Sequence, residues 1–204
     1  KPLELISGLP MIEHVRRRVS LCRDLDKVYV ATCDRDIKET VEGFGGSVIM
    51  TADTHERCTD RIAEAAATLD ADVVVNVQGD EPLVMPEMIS NAVAPFKEDD
   101  QVQAVNLVVR IRDMEEFNDP NAPKLVTNLA GDVLYISREP IPSLKKAESE
   151  DFLRLKQLGL IAFRRDYLIQ FSKLPQTPLE KVESVDMMRA VENGHKVKAV
   201  EITG

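Results

Sequence analysis

The sequence predicts an α/β fold built on an open, mostly parallel sheet with right-handed crossovers, and three observations carry this. Short β-branched runs alternate regularly with helical patterns between residues 27 and 110. Val73-Val74-Val75-Asn76-Val77 is an apolar run with one polar interruption, as expected of a central parallel strand covered on both faces. A length of 204 residues with 44% hydrophobic and 30% charged residues suits one domain with its own core.

Each element has a local reason. Lys27 to Cys33 is β-branched and aromatic-rich, which predicts a buried strand. Asp34-Arg35-Asp36 supplies capping chemistry for a helix through Gly43, and Gly43, Gly45 and Gly46 end it. Ser47 to Met50 follows as a strand. Thr59 or Asp60 is expected to cap a helix through Leu69, with Ile62, Ala65, Ala66 and Leu69 on one face. Pro86 opens a helix to about Phe96, and a strand spans 102–109. From residue 120 the rhythm changes: Pro120, Pro123, Pro140 and Pro142 frame two short strands, 125–127 and 133–136. Residues 144–152 read as a charged loop, 157–163 as a strand, 184–193 as a helix stopped by Gly194, and 196–202 as a last strand. Arg16, Arg17 and Arg18 fall on an amphipathic helix, as a solvated face.

Composition narrows the function. A net charge of −9 opposes a nucleic-acid role. No apolar run reaches the roughly 18 residues of a membrane span, so a cytoplasmic location is expected. Cys22, Cys33 and Cys58 are odd in number and widely spaced, which argues against a disulfide framework. His14, His55 and His195 lack zinc-ligand spacing. Neither GxGxxG nor a P-loop occurs.

Chemistry concentrates at Gln78-Gly79-Asp80-Glu81-Pro82, directly after the Val73–Val77 run. Ligands in open α/β sheets sit at the carboxyl ends of strands. Gly79 allows close backbone approach, and the Asp80 carboxylate suits Mg²⁺ held together with substrate phosphates. A strand-ending turn accounts for the same residues. Thr59-Asp60-Arg61 places a cation at a helix start, where simple capping is the alternative. Asn121 and Lys124 lie in the proline-rich stretch. Arg138, between a strand and two prolines, is placed to grip a carboxylate or phosphate, or to form a surface ion pair. These residues alone leave the reaction open.

Together the segments resemble the 3-deoxy-manno-octulosonate (KDO) cytidylyltransferases over nearly the whole chain. The likeness rests on Lys1-Pro2-Leu3 with Gly8 to Val15, Val28 to Thr32, Gly45-Gly46, and Cys58 to Glu64. It continues through Val75 to Pro82, Pro120 to Lys124, Leu134 to Arg138, and Pro178 to Glu180 with Glu183-Ser184 and Arg189 to Gly194. The resemblance implies a Rossmann-like three-layer fold with a mostly parallel or mixed sheet, of nucleotide-diphospho-sugar transferase type, carrying a small dimerisation extension. It implies an Mg²⁺-dependent enzyme that joins CTP to an acidic sugar, as a homodimer. By carry-over, Asp80 is the metal ligand and Lys1 contacts the triphosphate, both as catalytic residues. Thr59, Arg61 and Gln78 join them at CTP, while Lys124, Arg138, Gln157 and Asp186 fall on the acceptor side.

Residues 1–204 read as one nucleotidyltransferase domain, with about 120–170 as a smaller acceptor or dimerisation subregion. The resemblance also places an arginine-bearing loop before Lys1 and a Val-Asp-Thr motif after Gly204, so the chain is expected to be truncated at both ends. Where the family commonly has His-x-Gly-Ile-Tyr-x-Tyr, this chain has Gln157 to Phe163, and a family Gln is replaced by Met187. Replacing sugar-side donors by Gln157, Ile161 and Met187 predicts relaxed or redirected acceptor choice. Another sugar nucleotidyltransferase, a nucleotide-sugar glycosyltransferase and a non-catalytic relative are the competing readings.

Overall fold

The computed structural model describes residues 1–146 and 152–203, so most of the charged loop expected over 144–152 lies outside the described residues. The chain opens with an antiparallel hairpin, β1 (Leu5–Ile6) and β2 (Leu9–Pro10), and helix α1 (Met11–Val19). There follow β3 (Tyr29–Thr32), α2 (Arg35–Gly43), β4 (Ser47–Met50), α3 (Cys58–Ala67), β5 (Val73–Val77), α4 (Pro86–Glu98) and β6 (Ala104–Arg110). The second half comprises α5 (Met114–Asn118), β7 (Lys124–Thr127), β8 (Val133–Ser137), β9 (Leu155–Arg164), α6 (Arg165–Phe171), α7 (Pro178–Glu183), α8 (Met187–Glu192) and β10 (Lys198–Ile202).

Local chemistry sets several boundaries. The Asp34 carboxylate accepts from the backbone N–H groups of Asp36 and Ile37 and so starts α2. Pro86 and Pro178 occupy first-turn positions, where a missing N–H costs nothing. Ser184 ends α7 in the left-handed conformation (φ 53°), which breaks the helix expected over 184–193 and confines α8 to Met187–Glu192. Helix α3 starts one residue before the expected cap, with Arg57 at the cap position and no side-chain cap.

The main sheet is mixed, in the order β10-β6-β9-β7-β8, with β5 also paired to β9. Strand β10 runs parallel to β6, whereas β9 is antiparallel to β5, β6 and β7. The expected parallel neighbour of β5 is therefore corrected: an apolar run reports two covered faces but not the direction of the adjacent strand. Strands β3 and β4 form a separate parallel pair. The start of β8 returns to β10, with Val133 N–H donating to Val197 O (2.8 Å) and Ala199 N–H to Gly131 O (2.9 Å).

Alternate residues of the central strands feed two cores. Ala104, Val108, Ile161 and Phe163 pack against α3, α6 and α8 on one face. Val105, Leu107, Leu160 and Ala162 pack against α1 and α4 on the other, which gives three layers. Arg16 corrects the solvated-face expectation for α1. Together with Arg17 it binds the fully buried Glu13 carboxylate (2.6 and 2.7 Å), and these bonds overcome burial to hold that carboxyl below its usual range. Gly46 packs close to the same arginine. A Cβ there would stand 2.6 Å from Val41 Cγ1 and 2.7 Å from Arg16 Cδ. Gly46→Ala is expected to cost about 1–3 kcal/mol in denaturant unfolding.

Candidate active site

The site forms where β9 changes neighbours. On one edge β9 pairs with β5 up to Leu160 opposite Val77, then with β7 from Lys156 opposite Lys124. Between them, residues 157–159 face the chain leaving β5 at Gln78 and the chain entering β7 at Pro123. On the other edge the register jumps from Asn106 opposite Ile161 to Val108 opposite Gln157, so β9 bulges across from Leu107. The bulge brings Gly159 against the loop after β5: a Cβ there would meet Gln78 Cδ and Glu81 Oε1, each at 3.1 Å. Gly159→Ala is expected to displace both side chains and lower kcat/KM about tenfold while leaving the melting temperature nearly unchanged.

Asp80 and Lys1 meet here. Lys1 Nζ lies 2.7 Å from Asp80 Oδ2, and this hydrogen bond raises the ammonium pKa. The two side chains are 70% and 39% exposed, so the pair adds little to stability and stays open to a ligand. Backbone bonds from Glu4 N–H to Lys1 O (3.0 Å) and from Ile12 N–H to Pro2 O (2.9 Å) fix Lys1 against α1. The Glu81 carboxyl is pushed up, first by desolvation and then by the Asp80 charge. Gln78 is exposed beside them.

Arg61 and Glu64, one turn apart on α3, hold the loop after β4. Arg61 Nη1 donates to Thr51 Oγ1 (2.5 Å) and Ala52 O (3.0 Å); Glu64 accepts from Ala52 N–H (3.1 Å) and pairs with His55. Thr59 does not face this loop. It is fully buried, and its hydroxyl donates to Asp186 Oδ2 (2.7 Å). Asp186 also lies 3.7 Å from Arg57 Nε, so the structure brings the expected nucleotide-side Thr59 and acceptor-side Asp186 into one contact. Arg189 repeats this tie one helical turn later. Its buried guanidinium bridges Glu180 (2.6 Å) and Asp60 (3.0 Å) and stacks on Phe171, joining α3 to α7 and α8.

The residues expected on the acceptor side divide. Arg138 donates to three backbone carbonyls, Glu183 O (2.7 Å), Pro120 O (2.9 Å) and Ser184 O (3.3 Å), which present a rigid cation at the turn between α7 and α8. Lys124 is fully buried, and its ammonium is spent on Asp119 O (2.9 Å) and Arg138 O; desolvation lowers its pKa. It braces Arg138 from behind. Gln157 is half-buried and bonds to Asn106 (2.6 Å). Ile161 and Met187 pack in the core, Met187 with no exposure, so neither forms an open sugar-side surface.

Sequence reasoning gave no role to Asn106, Arg57 or Glu183. Glu183 accepts from Tyr135 Oη (2.9 Å), Ser137 Oγ (3.0 Å) and Arg138 N–H (2.9 Å), and its pKa falls despite burial that would raise it. The signal for Asn106 was an amide inside an apolar strand run, the same interruption visible at Asn76.

The carboxylates present suit an Mg²⁺ shared with substrate phosphates. Among the described residues no group of three or more His, Cys, Asp and Glu could hold a metal. Mg²⁺ commonly takes one or two carboxylates and completes its shell with water and substrate phosphates, which Asp80 and the adjacent Glu81 can serve.

A family model described as cytidylyltransferase matches residues 1–198. The chain is 43% identical to the 3-deoxy-manno-octulosonate cytidylyltransferase of Geobacter metallireducens, covering 98% of this chain and 83% of the relative. It is 45% identical to the enzyme of that name from Geobacter sulfurreducens, over 98% and 84%. A solved structure of CMP:2-keto-3-deoxy-manno-octonic acid synthetase complexed with CTP superposes with a TM-score of 0.94 at 36% identity, covering 100% of this chain and 83% of that one. A 4-diphosphocytidyl-2C-methyl-D-erythritol synthase from Anaerococcus prevotii, at 15% identity and a TM-score of 0.62, shares the fold.

Proposed function

The chain belongs to the cytidylyltransferase family, and from that premise we propose that it couples CTP to KDO or a closely related sugar acid, forming a CMP-sugar and pyrophosphate. The observation that carries this is the match of the whole of this chain to 83% of a synthetase solved with CTP, in a chain whose Lys1–Asp80 pair stands open after β5. The acceptor's anomeric hydroxyl attacks the α-phosphorus and gives up its proton to solvent, the bond from that phosphorus to the oxygen bridging the β-phosphate breaks, and pyrophosphate leaves with the bonding electrons. Lys1 offsets triphosphate charge. Arg61 shapes the 51–52 loop on the nucleotide side, and Gln78 lies beside the ribose. Arg138 grips the acceptor carboxylate, with Lys124 supporting it. Asp80 would hold Mg²⁺, which supplies charge neutralisation at the phosphates.

Action as a cytoplasmic homodimer is part of this reading, supported by the family resemblance. Among the described residues no helix is long and apolar enough to cross a membrane. Nucleotide choice tests the proposal. Pyrophosphate release with KDO should be strong with CTP, weak with UTP, lost on chelation with EDTA and restored by Mg²⁺. Equal or better turnover with UTP would overturn it.

A further inference from the structure

The carboxamides of Asn106 and Gln157 form a chain whose polarity is decided at one end. Asn106 is fully buried in β6, and its Nδ2 lies 3.1 Å from both Leu107 O and Leu158 O. Carbonyl oxygens only accept, so the nitrogen must occupy that end of the amide. The other end is then Oδ1, which stands 2.6 Å from the Gln157 carboxamide, and the atom Gln157 offers to it must be Nε2. The usual ambiguity of amide orientation is removed here by two fixed acceptors. The Gln157 backbone is pinned as well, since its N–H donates to Pro123 O (2.9 Å).

What remains of Gln157 is Oε1 and the second N–H of Nε2. Oε1 accepts from no group among the described residues, and Gln157 is half-buried at the bulge two residues before Gly159. A freely rotating glutamine can exchange the positions of its oxygen and nitrogen; this one cannot, so its oxygen stays where it stands. We propose that Asn106 is a positioning residue that fixes the orientation of the Gln157 amide, so that Oε1 stands as a hydrogen-bond acceptor for sugar acids that place an O–H or N–H donor at that point. The bulge explains the arrangement: it takes Leu158 O out of the regular β6 ladder, Asn106 satisfies that carbonyl, and the same amide then sets its neighbour's polarity. The inference rests on the acceptor-side reading of Gln157 given above.

The test compares Asn106→Ala, Gln157→Met and the double variant with the wild type, using CTP and KDO. Each single variant should raise the KM for KDO about tenfold, the worth of one hydrogen bond, and leave the KM for CTP within about twofold. The double variant should be no worse than the poorer single, because Asn106 acts through Gln157. Equal shifts in both KM values, or additive losses in the double variant, would overturn the proposal. Should Asn106→Ala fail to fold, Gln157→Met at its half-buried position decides alone, and an unchanged KM for KDO refutes it. Wild-type turnover of KDO tests the underlying functional reading separately.

Discussion

Asp80→Asn is expected to lower kcat on the order of a thousandfold while the protein keeps its melting temperature. The substitution is nearly isosteric and removes one negative charge at the end of β5, where the triphosphate and its counter-ion would gather. Its only ion-pair partner among the described residues is Lys1, and both groups are open to water. Breaking such a pair costs little stability, so folding and turnover separate cleanly. Circular dichroism melting and pyrophosphate release, measured on one preparation, check both halves. An Asp80→Asn enzyme with near wild-type kcat would remove the metal assignment.

Arg138→Ala is expected to raise the KM for the sugar acid between about tenfold and a hundredfold, with a change in the KM for CTP below about threefold. A charge-assisted hydrogen bond is worth about 1.5–3 kcal/mol, and three neutral carbonyls hold the guanidinium in place. Those carbonyls also lose their donor, so the variant should be less stable by about 1–2 kcal/mol. Arg138→Lys keeps the charge without the planar fork and should recover part of the acceptor affinity only. Steady-state kinetics with each substrate varied in turn distinguish the outcomes; parallel rises in both KM values would take Arg138 out of the acceptor role.

Much of the fold was legible because burial and capping leave local marks. Ser47–Met50 and Val73–Val77 are strands over the predicted residues, and Asp34 caps α2 as its side chain allows. Direction was not legible. Nothing in Val73–Val77 distinguishes a parallel neighbour from β9, whose paired residues lie 83 to 91 positions later and run the other way. The short helices α6 and α7 carry too few turns to declare a face, and Ser184 hides a chain reversal inside a helical pattern.

The site divides on the same line. Gln78 to Pro82 stood out because a charged turn follows an apolar strand. The partners of Lys124 and Thr59 could not be read, since a lysine that braces two carbonyls and a threonine that binds an aspartate 127 residues away look in sequence like surface residues. Arg16 misled for the matching reason: its buried partner Glu13 sits one turn back, and the pattern shows charge without showing what covers it.

The central claim is tested most directly by following pyrophosphate release from the full-length protein with CTP and Mg²⁺, in the presence and absence of KDO. Release that requires KDO and yields stoichiometric CMP-KDO is the expected result. Release that proceeds at the same rate without the sugar acid, or none with KDO from protein that still binds CTP, would contradict the assignment of KDO as acceptor.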